Sequence, residues 1–306
     1  MIFFYSFIST YIITYFALPF LKKIFLVEPN KRSSHLISKP TAGGIVFVLI
    51  ITLVGFFKEF YVPLLCLPLS IIGLVDDKFD LKPISRIFVQ VFTIVFLIYF
   101  SPLNETLVNN YSSFVYLPIL FAVIFSFTAC INFLNFVDGL DGLLTGCMII
   151  IFSSICISQR LDLWAYIGSL MGFLILNWSP SKVFMGDVGS TFIGALFVGT
   201  ILQTDSFVDG FKSFLLASPL LGDALISVVR RYMSGKSITI PHKSFFFQRL
   251  HQGGLSHRRV SCIYMSACLA LGLTMIFGNL FTMLMVIIIE LFILFYLDNK
   301  FAVKFE

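Results

Sequence analysis

Apolar runs long enough to cross or nearly cross a bilayer recur from one end of this 306-residue chain to the other. Eleven can be marked, at roughly 2–21, 43–57, 60–75, 86–101, 115–134, 142–158, 163–178, 188–203, 211–229, 260–277 and 279–297. Lipid forbids open sheet edges, so continuous apolar runs of this kind read as helices. Several are shorter than the roughly 20 residues of a comfortable span, and their ends are expected to extend into the flanking polar residues. The expectation is an all-α, polytopic membrane protein of about eleven transmembrane helices, with residues 1–306 forming a single integral-membrane domain. Charged residues make up 12% of the chain, against about 25% in soluble domains, which leaves almost no room for a soluble domain. The first run lacks a basic leader and a small-residue cleavage site, and reads as an uncleaved helix rather than a signal peptide.

Lys and Arg sort by loop. With the N-terminus outside, 18 of the 21 fall on the inner side, leaving only Lys58, Arg160 and Lys212 outside. Cytoplasmic enrichment of bases is the expected bias. This orientation places the N-terminus outside and the segment 101–114 external. It puts Asp76, Asp77, Asp80, Asp138, Asp141 and Asp187 at or near the cytoplasmic face, and the expected active site is a cleft there.

Ionisable groups at membrane depth mark functional sites by default. Asp76, Asp77 and Asp80 end an apolar run in GLVDDKFDLKP. At about 100° per residue they lie within one arc of a helix, where three carboxylates repel unless a divalent cation or a base intervenes. In NFLNFVDGLDGL, Asn132 and Asn135 are helix neighbours and precede Asp138 and Asp141. Such amides and carboxylates suit a nucleobase edge, a sugar or Mg²⁺. Asp187 in FMGDVGS either caps the next helix or serves a ligand at its N-terminus. Lys39 in KPTAGG offers a base beside backbone donors. The segment from Arg230 to Arg259 holds seven Lys/Arg, three His and no acid; phosphate binding accounts for it, as does attraction to anionic headgroups. Its His spacing suits no zinc pattern, and the six cysteines are scattered singly. Asp223 reads as a structural partner of Arg230 or Arg231, or as a supporting residue.

The order KPTAGG, DDKFD, NFLNFVDGLDGL, FMGDVGS, PHKSFFFQRLHQGGLSHRRV resembles the polyprenyl-phosphate N-acetylhexosamine-1-phosphate transferases, glycosyltransferase family 4, over nearly the whole chain. Within it, the late segment is most similar to the WecA-like, O-antigen initiating branch. The resemblance implies transfer of a sugar-1-phosphate from a UDP-N-acetyl sugar to undecaprenyl phosphate in a bacterial plasma membrane, with UMP released and Mg²⁺ (or Mn²⁺) as cofactor. It implies Asp187 as the metal ligand and Asp76 and Asp77 as the essential acidic pair. Asn132, Asn135, Asp138 and Asp141 become the nucleotide-sugar and catalytic loop, Lys39 a base near the phosphates, and His242 the first position of a late His motif. Where that branch has a second His, this chain has Phe245.

From these readings Asp76 or Asp77 is expected to position or deprotonate the lipid phosphate, and His242 and Arg249 to contact the diphosphate directly. An ion-coupled transporter using its intramembrane acids is the rival class; its acids belong near mid-bilayer, whereas these sit at one edge. The expected partners are the UDP-sugar, undecaprenyl phosphate and the bilayer, with no nucleic acid. Self-association as a homodimer, the identity of the sugar, and single against double displacement stay open.

Overall fold

The computed structural model describes residues 1–27, 38–79, 81–110, 112–237 and 242–305. Asp80, Lys31, Arg32 and Pro241 lie outside the described residues. Within them the chain forms fourteen helices: α1 (Ile2–Ile24), α2 (Gly44–Phe57), α3 (Val62–Phe79), α4 (Pro83–Tyr99), α5 (Pro102–Asn110), α6 (Ser113–Val137), α7 (Leu143–Gln159), α8 (Trp164–Asn177), α9 (Gly186–Leu202), α10 (Phe207–Leu215), α11 (Ser218–Met233), α12 (Phe246–Gln252), α13 (His257–Phe277) and α14 (Leu280–Phe301). One two-residue antiparallel pairing, β1 (Leu26–Val27) with β2 (Lys39–Pro40), is the described strand content.

Every apolar run of the sequence is helical, and the all-α expectation holds. By length and composition α1, α6, α13 and α14 are sufficient to cross a membrane. The run at 211–229 is not one straight helix. It is α10 and α11, bent by 69° at a break between Leu215 and Ser218, and the pair counts as a fifth span if taken together. Pro219 sits in the first turn of α11, where its missing N–H costs nothing and its ring blocks continuation of α10 into α11. The segment 101–114 contains the short helix α5.

At the centre stands α9. From Val188 to Leu202 every residue is buried, with α3, α6, α2 and α4 packed around it. Such all-round burial suits a helix with no polar face. It also requires close approach: a Cβ on Gly44 of α2 would lie 2.5 Å from the Gly189 Cα of α9. Small residues at crossings are how membrane helices pack tightly. By contrast α14 leaves most of its large side chains exposed, with Met283 as its one buried residue. The central position of α9 matters because its N-terminus carries Asp187.

Candidate functional site

Four helices bring polar side chains together at the N-terminal end of α9. Asp76 and Asp77 come from the last turn of α3, beyond its apolar run, Arg86 from the first turn of α4, Asn135 from the end of α6, and Asp187 from α9 itself. Asp77 faces the start of α9 and accepts the backbone N–H groups of Asp187 (2.9 Å) and Val188 (3.2 Å). It thereby satisfies two of the donors every helix N-terminus leaves open. Gly186 makes room for it: φ is +72°, and a side chain there would strike the Asp77 carboxylate. The capping role that the sequence allowed for Asp187 is therefore filled from another helix.

Asp187 is left for other partners. Its Oδ1 accepts from Asn135 Nδ2 (3.0 Å) and its Oδ2 from Arg86 Nη1 (3.0 Å). Arg86 Nη1 also donates to Asp76 Oδ2 (2.5 Å), while Asp76 Oδ1 accepts the Leu81 N–H (2.6 Å). Asn135 further donates to Ser190 Oγ (2.8 Å). Asn132, expected at the substrate, is instead in a reciprocal amide pair with Gln90 of α4 (3.1 and 2.8 Å) and donates to the Thr128 carbonyl (2.8 Å). Its amide ties α6 to α4.

One guanidinium serves several crowded carboxylates. Desolvation, then the neighbouring Asp187 and Asp76 charges, push Asp77 up to about 7 despite its two N–H donors. Desolvation and the contact with Asp76 push Asp187 up to about 6, against Asn135 and Arg86. Asp76 goes the other way: burial opposes its charge, but the contact with Asp187, the Leu81 N–H and Arg86 outweigh it. Asp138 is raised well above the ordinary carboxylate value by desolvation and by Asp187, Asp77 and Asp141. These are the shifts expected of like charges held close with too few donors. The Asp138 carboxylate has no protein hydrogen-bond partner among the described residues.

A second cluster adjoins the first and is neutralised differently. Asp141 Oδ1 accepts from Ser181 Oγ (2.7 Å) and Oδ2 from the Ser181 N–H (3.1 Å). Lys39 Nζ lies 3.5 Å from Asp141 Oδ2, donates to Ser181 Oγ (2.8 Å) and sits over the Phe184 ring. His257 Nδ1 is 3.5 Å from Asp141 Oδ2 and 3.3 Å from the Asp141 backbone N. The proton on that nitrogen decides whether it donates to the carboxylate or accepts from the backbone. Burial works against the charge of Asp141, yet His257, Ser181 and Lys39 together hold it well below the usual range.

The basic segment departs most from expectation. Arg249 is 5% exposed. Its guanidinium pairs with Asp298 (2.5 Å) and donates to the Val303 carbonyl (2.8 Å), and Val303 N–H returns a bond to the Arg249 carbonyl. Arg230 reaches the same Asp298 (3.2 Å). Arg249 thus fastens the C-terminal residues to α12, with its side chain at the edge of the basic cavity beside His242. Asp223 pairs with neither Arg230 nor Arg231. It accepts the Phe246 and Phe247 N–H groups (2.7 and 3.1 Å), the Tyr264 hydroxyl (2.7 Å) and the Ser227 hydroxyl (3.2 Å), so it caps α12 from α11. His242 Nδ1 accepts the Ser244 N–H (3.2 Å), its ring lies 4.8 Å from that of Phe245, and desolvation followed by the Arg231 charge lowers it to about 4. It borders a cavity of about 340 Å³ with Arg231, Lys236, Lys243, Arg249 and Lys304. A larger cavity, about 630 Å³, lies between α11, α13 and α14 and is mostly apolar. There Glu290 Oε1 has no partner among the described residues.

Sequence reasoning missed Arg86, Ser181, His257 and Gln90 as site residues. Arg86 stands ten residues after Asp76, and counts in the sequence as one more inner-side base. Ser181 and His257 lie far from Asp141 in sequence, and only helix packing unites them. Among the described residues no three His, Cys, Asp or Glu are grouped to hold a metal by themselves. Two carboxylate oxygens do converge on one cationic nitrogen, however, and Mg²⁺ is commonly held by one or two carboxylates with substrate phosphates and water completing its shell.

The sequence model of glycosyl transferase family 4 matches residues 60–205. That span contains Asp76, Asp77, Arg86, Asn132, Asn135, Asp138, Asp141, Ser181 and Asp187, but not Lys39, His242 or Arg249. The chain is 34% identical over 252 residues to an undecaprenyl-phosphate alpha-N-acetylglucosaminyl 1-phosphate transferase of Thermotoga maritima, covering 80% of this chain and 79% of the relative. It is 29% identical to the Escherichia coli protein of that name, covering 83% and 76%. It is 31% identical to a phospho-N-acetylmuramoyl-pentapeptide-transferase of Prochlorococcus marinus, covering 78% and 75%.

Proposed function

The chain belongs to glycosyl transferase family 4, and on that premise we propose that it transfers an N-acetylhexosamine 1-phosphate from a UDP-sugar to undecaprenyl phosphate, releasing UMP. The product, undecaprenyl-diphosphate-sugar, would initiate O-antigen or another cell-envelope polysaccharide. The observation that carries the reading is the convergence of Asp76 and Asp187 on one cationic position, beside an Asp138 that has no hydrogen-bond donor among the described residues. We take the chain to span a bacterial plasma membrane about eleven times with the N-terminus outside. The support is the partition of Lys and Arg together with helices at all eleven apolar runs.

A phosphate monoester has a second pKa of about 6, so the lipid phosphate is mostly dianionic near neutrality. One of its oxygens attacks the β-phosphorus of the UDP-sugar, a new P–O bond forms, and the bond to the UMP oxygen breaks. Mg²⁺ held at Asp76 and Asp187 would supply charge neutralisation to the diphosphate and the leaving UMP. Asp138 takes the residual proton of the acceptor phosphate; burial and neighbouring carboxylates make it a better base than an ordinary aspartate. Asp77 holds the start of α9, and so the placement of Asp187, rather than meeting substrate. Lys39, steadied by Asp141 and Ser181, presents its charge to the phosphates.

The test is UMP release by the purified protein with a panel of UDP-N-acetyl sugars. Release should require the sugar nucleotide, undecaprenyl phosphate and Mg²⁺ together. UMP appearing without the lipid phosphate, or with none of the panel, overturns the assignment.

A further inference from the structure

Arg86 is bound in an unusual way for a residue beside a cation site. A single nitrogen, Nη1, bridges Asp76 Oδ2 and Asp187 Oδ2. Nε and Nη2 have no hydrogen-bond partner among the described residues, and the side chain is 28% exposed. The two carboxylates do not depend on Arg86 for their placement. Asp76 is held through its other oxygen by the Leu81 N–H, and Asp187 through its other oxygen by Asn135. Each therefore keeps its orientation if the guanidinium leaves. What Arg86 contributes is positive charge, at the point between the two oxygens that a divalent cation would also occupy.

We propose that Arg86 is a resident counter-ion which a divalent cation displaces, and that the displaced guanidinium then engages a phosphate of the nucleotide sugar. The inference rests on the reading of Asp76 and Asp187 as a metal site. Its chemistry is charge competition. While the metal is absent, Arg86 offsets the repulsion between the carboxylates. When the metal enters, arginine and metal cannot share the same two oxygens, and the guanidinium is released. It remains tethered in the first turn of α4, and its fork of N–H donors suits phosphate oxygens bidentately. The site thus exchanges one cation for another and gains an anion-binding arm as it does so.

A residue that merely organised the carboxylates would have the opposite effect on metal affinity, which makes the sign decisive. Mn²⁺ binding is titrated by electron paramagnetic resonance at fixed pH, without nucleotide, for the wild-type protein, Arg86→Gln and Asp187→Asn. Arg86→Gln should bind Mn²⁺ about tenfold more tightly, the equivalent of removing one charge-assisted competitor. With saturating Mn²⁺, the same variant should bind UDP more weakly than wild type. Equal or weaker Mn²⁺ binding by Arg86→Gln, with wild-type binding abolished by Asp187→Asn, overturns the proposal and leaves the metal site standing. Absence of Mn²⁺ binding in the wild-type protein removes the metal reading itself. If Arg86→Gln folds only in the presence of Mn²⁺, that supports the same competition, because binding to the native state adds stability. If it does not fold at all, Arg86→Lys carries the test. Its single ammonium bridges both oxygens less well, so Mn²⁺ affinity must rise, and a fall overturns the proposal.

Discussion

Asp141 and Asp187 occupy adjoining carboxylate clusters and are neutralised in opposite ways. Asp141 is complete within the protein: Ser181 donates twice, Lys39 and His257 stand 3.5 Å away, and the carboxyl is held in its charged form. Asp187 shares one guanidinium with Asp76, lies near Asp77 and Asp138, and is pushed up to about 6. The first arrangement orients a base. The second has more negative charge than its protein partners offset, which suits it to receive a cation. Two aspartates that look equivalent as motif residues thus differ in the charge the fold brings to them.

The sharpest way to break this contrast is Asp187→Asn. It should lower kcat by about 100-fold or more, roughly 2.7 kcal/mol of transition-state stabilisation, while the protein stays folded and inserted. Asn keeps the polar contact to Asn135 but removes the charge. Retention of more than about a tenth of wild-type kcat would show that this cluster is no cation site.

Asp141→Asn should show the reverse balance. Turnover should fall about tenfold, the worth of one misplaced charged donor. Stability should fall by about 1–3 kcal/mol, because the part-buried Lys39 loses its counter-charge. Chemical denaturation of both variants in the same detergent measures this. The contrast fails if Asp187→Asn proves the more destabilising of the two.

Stability against pH sharpens the comparison further. Asp77 and Asp187 hold protons in the folded protein at pH values where the unfolded chain has lost them. The metal-free protein should therefore be most stable at or below the ordinary carboxylate value of about 4 and lose stability as pH rises through about 6 to 7. Asp77→Asn should flatten that slope. Asp141→Asn should not, since the lowered Asp141 carboxyl changes protonation only below this window. Urea midpoints across the window decide between them.

A third carboxylate extends the Asp141 pattern. Asp298 is held by both Arg249 and Arg230, so Arg249→Lys should cost about 1–3 kcal/mol of stability through the lost fork and leave the KM for the UDP-sugar nearly unchanged. Lys236→Ala should have the smallest effect, under about twofold in kcat, as an exposed charge with little packing to lose. A rise of about tenfold in KM on Arg249→Lys would return Arg249 to the substrate.

Much of this was legible in the sequence for a physical reason. Hydrocarbon leaves the backbone few options, so an apolar run dictates a helix whatever its neighbours do, and all eleven runs are helical. Aspartates at the ends of those runs, at 76, 77, 138, 141 and 187, likewise had to lie near helix ends, and their motif order carried the family. Tertiary structure alone decided the partnerships. Helical spacing says which face a side chain shares with its own neighbours, not how that face turns toward another helix. The rotation of α9 against α3 and α2, permitted by the close approach at Gly44 and Gly189, put Asp77 on the N–H groups of α9 and left Asp187 for Arg86. Packing of α12 against α14 and the C-terminal residues gave Arg249 partners in Asp298 and Val303 that its place in the sequence does not announce. The bend between α10 and α11 belongs to the same class: 211–229 reads as one apolar run, and only the surrounding helices show where it turns.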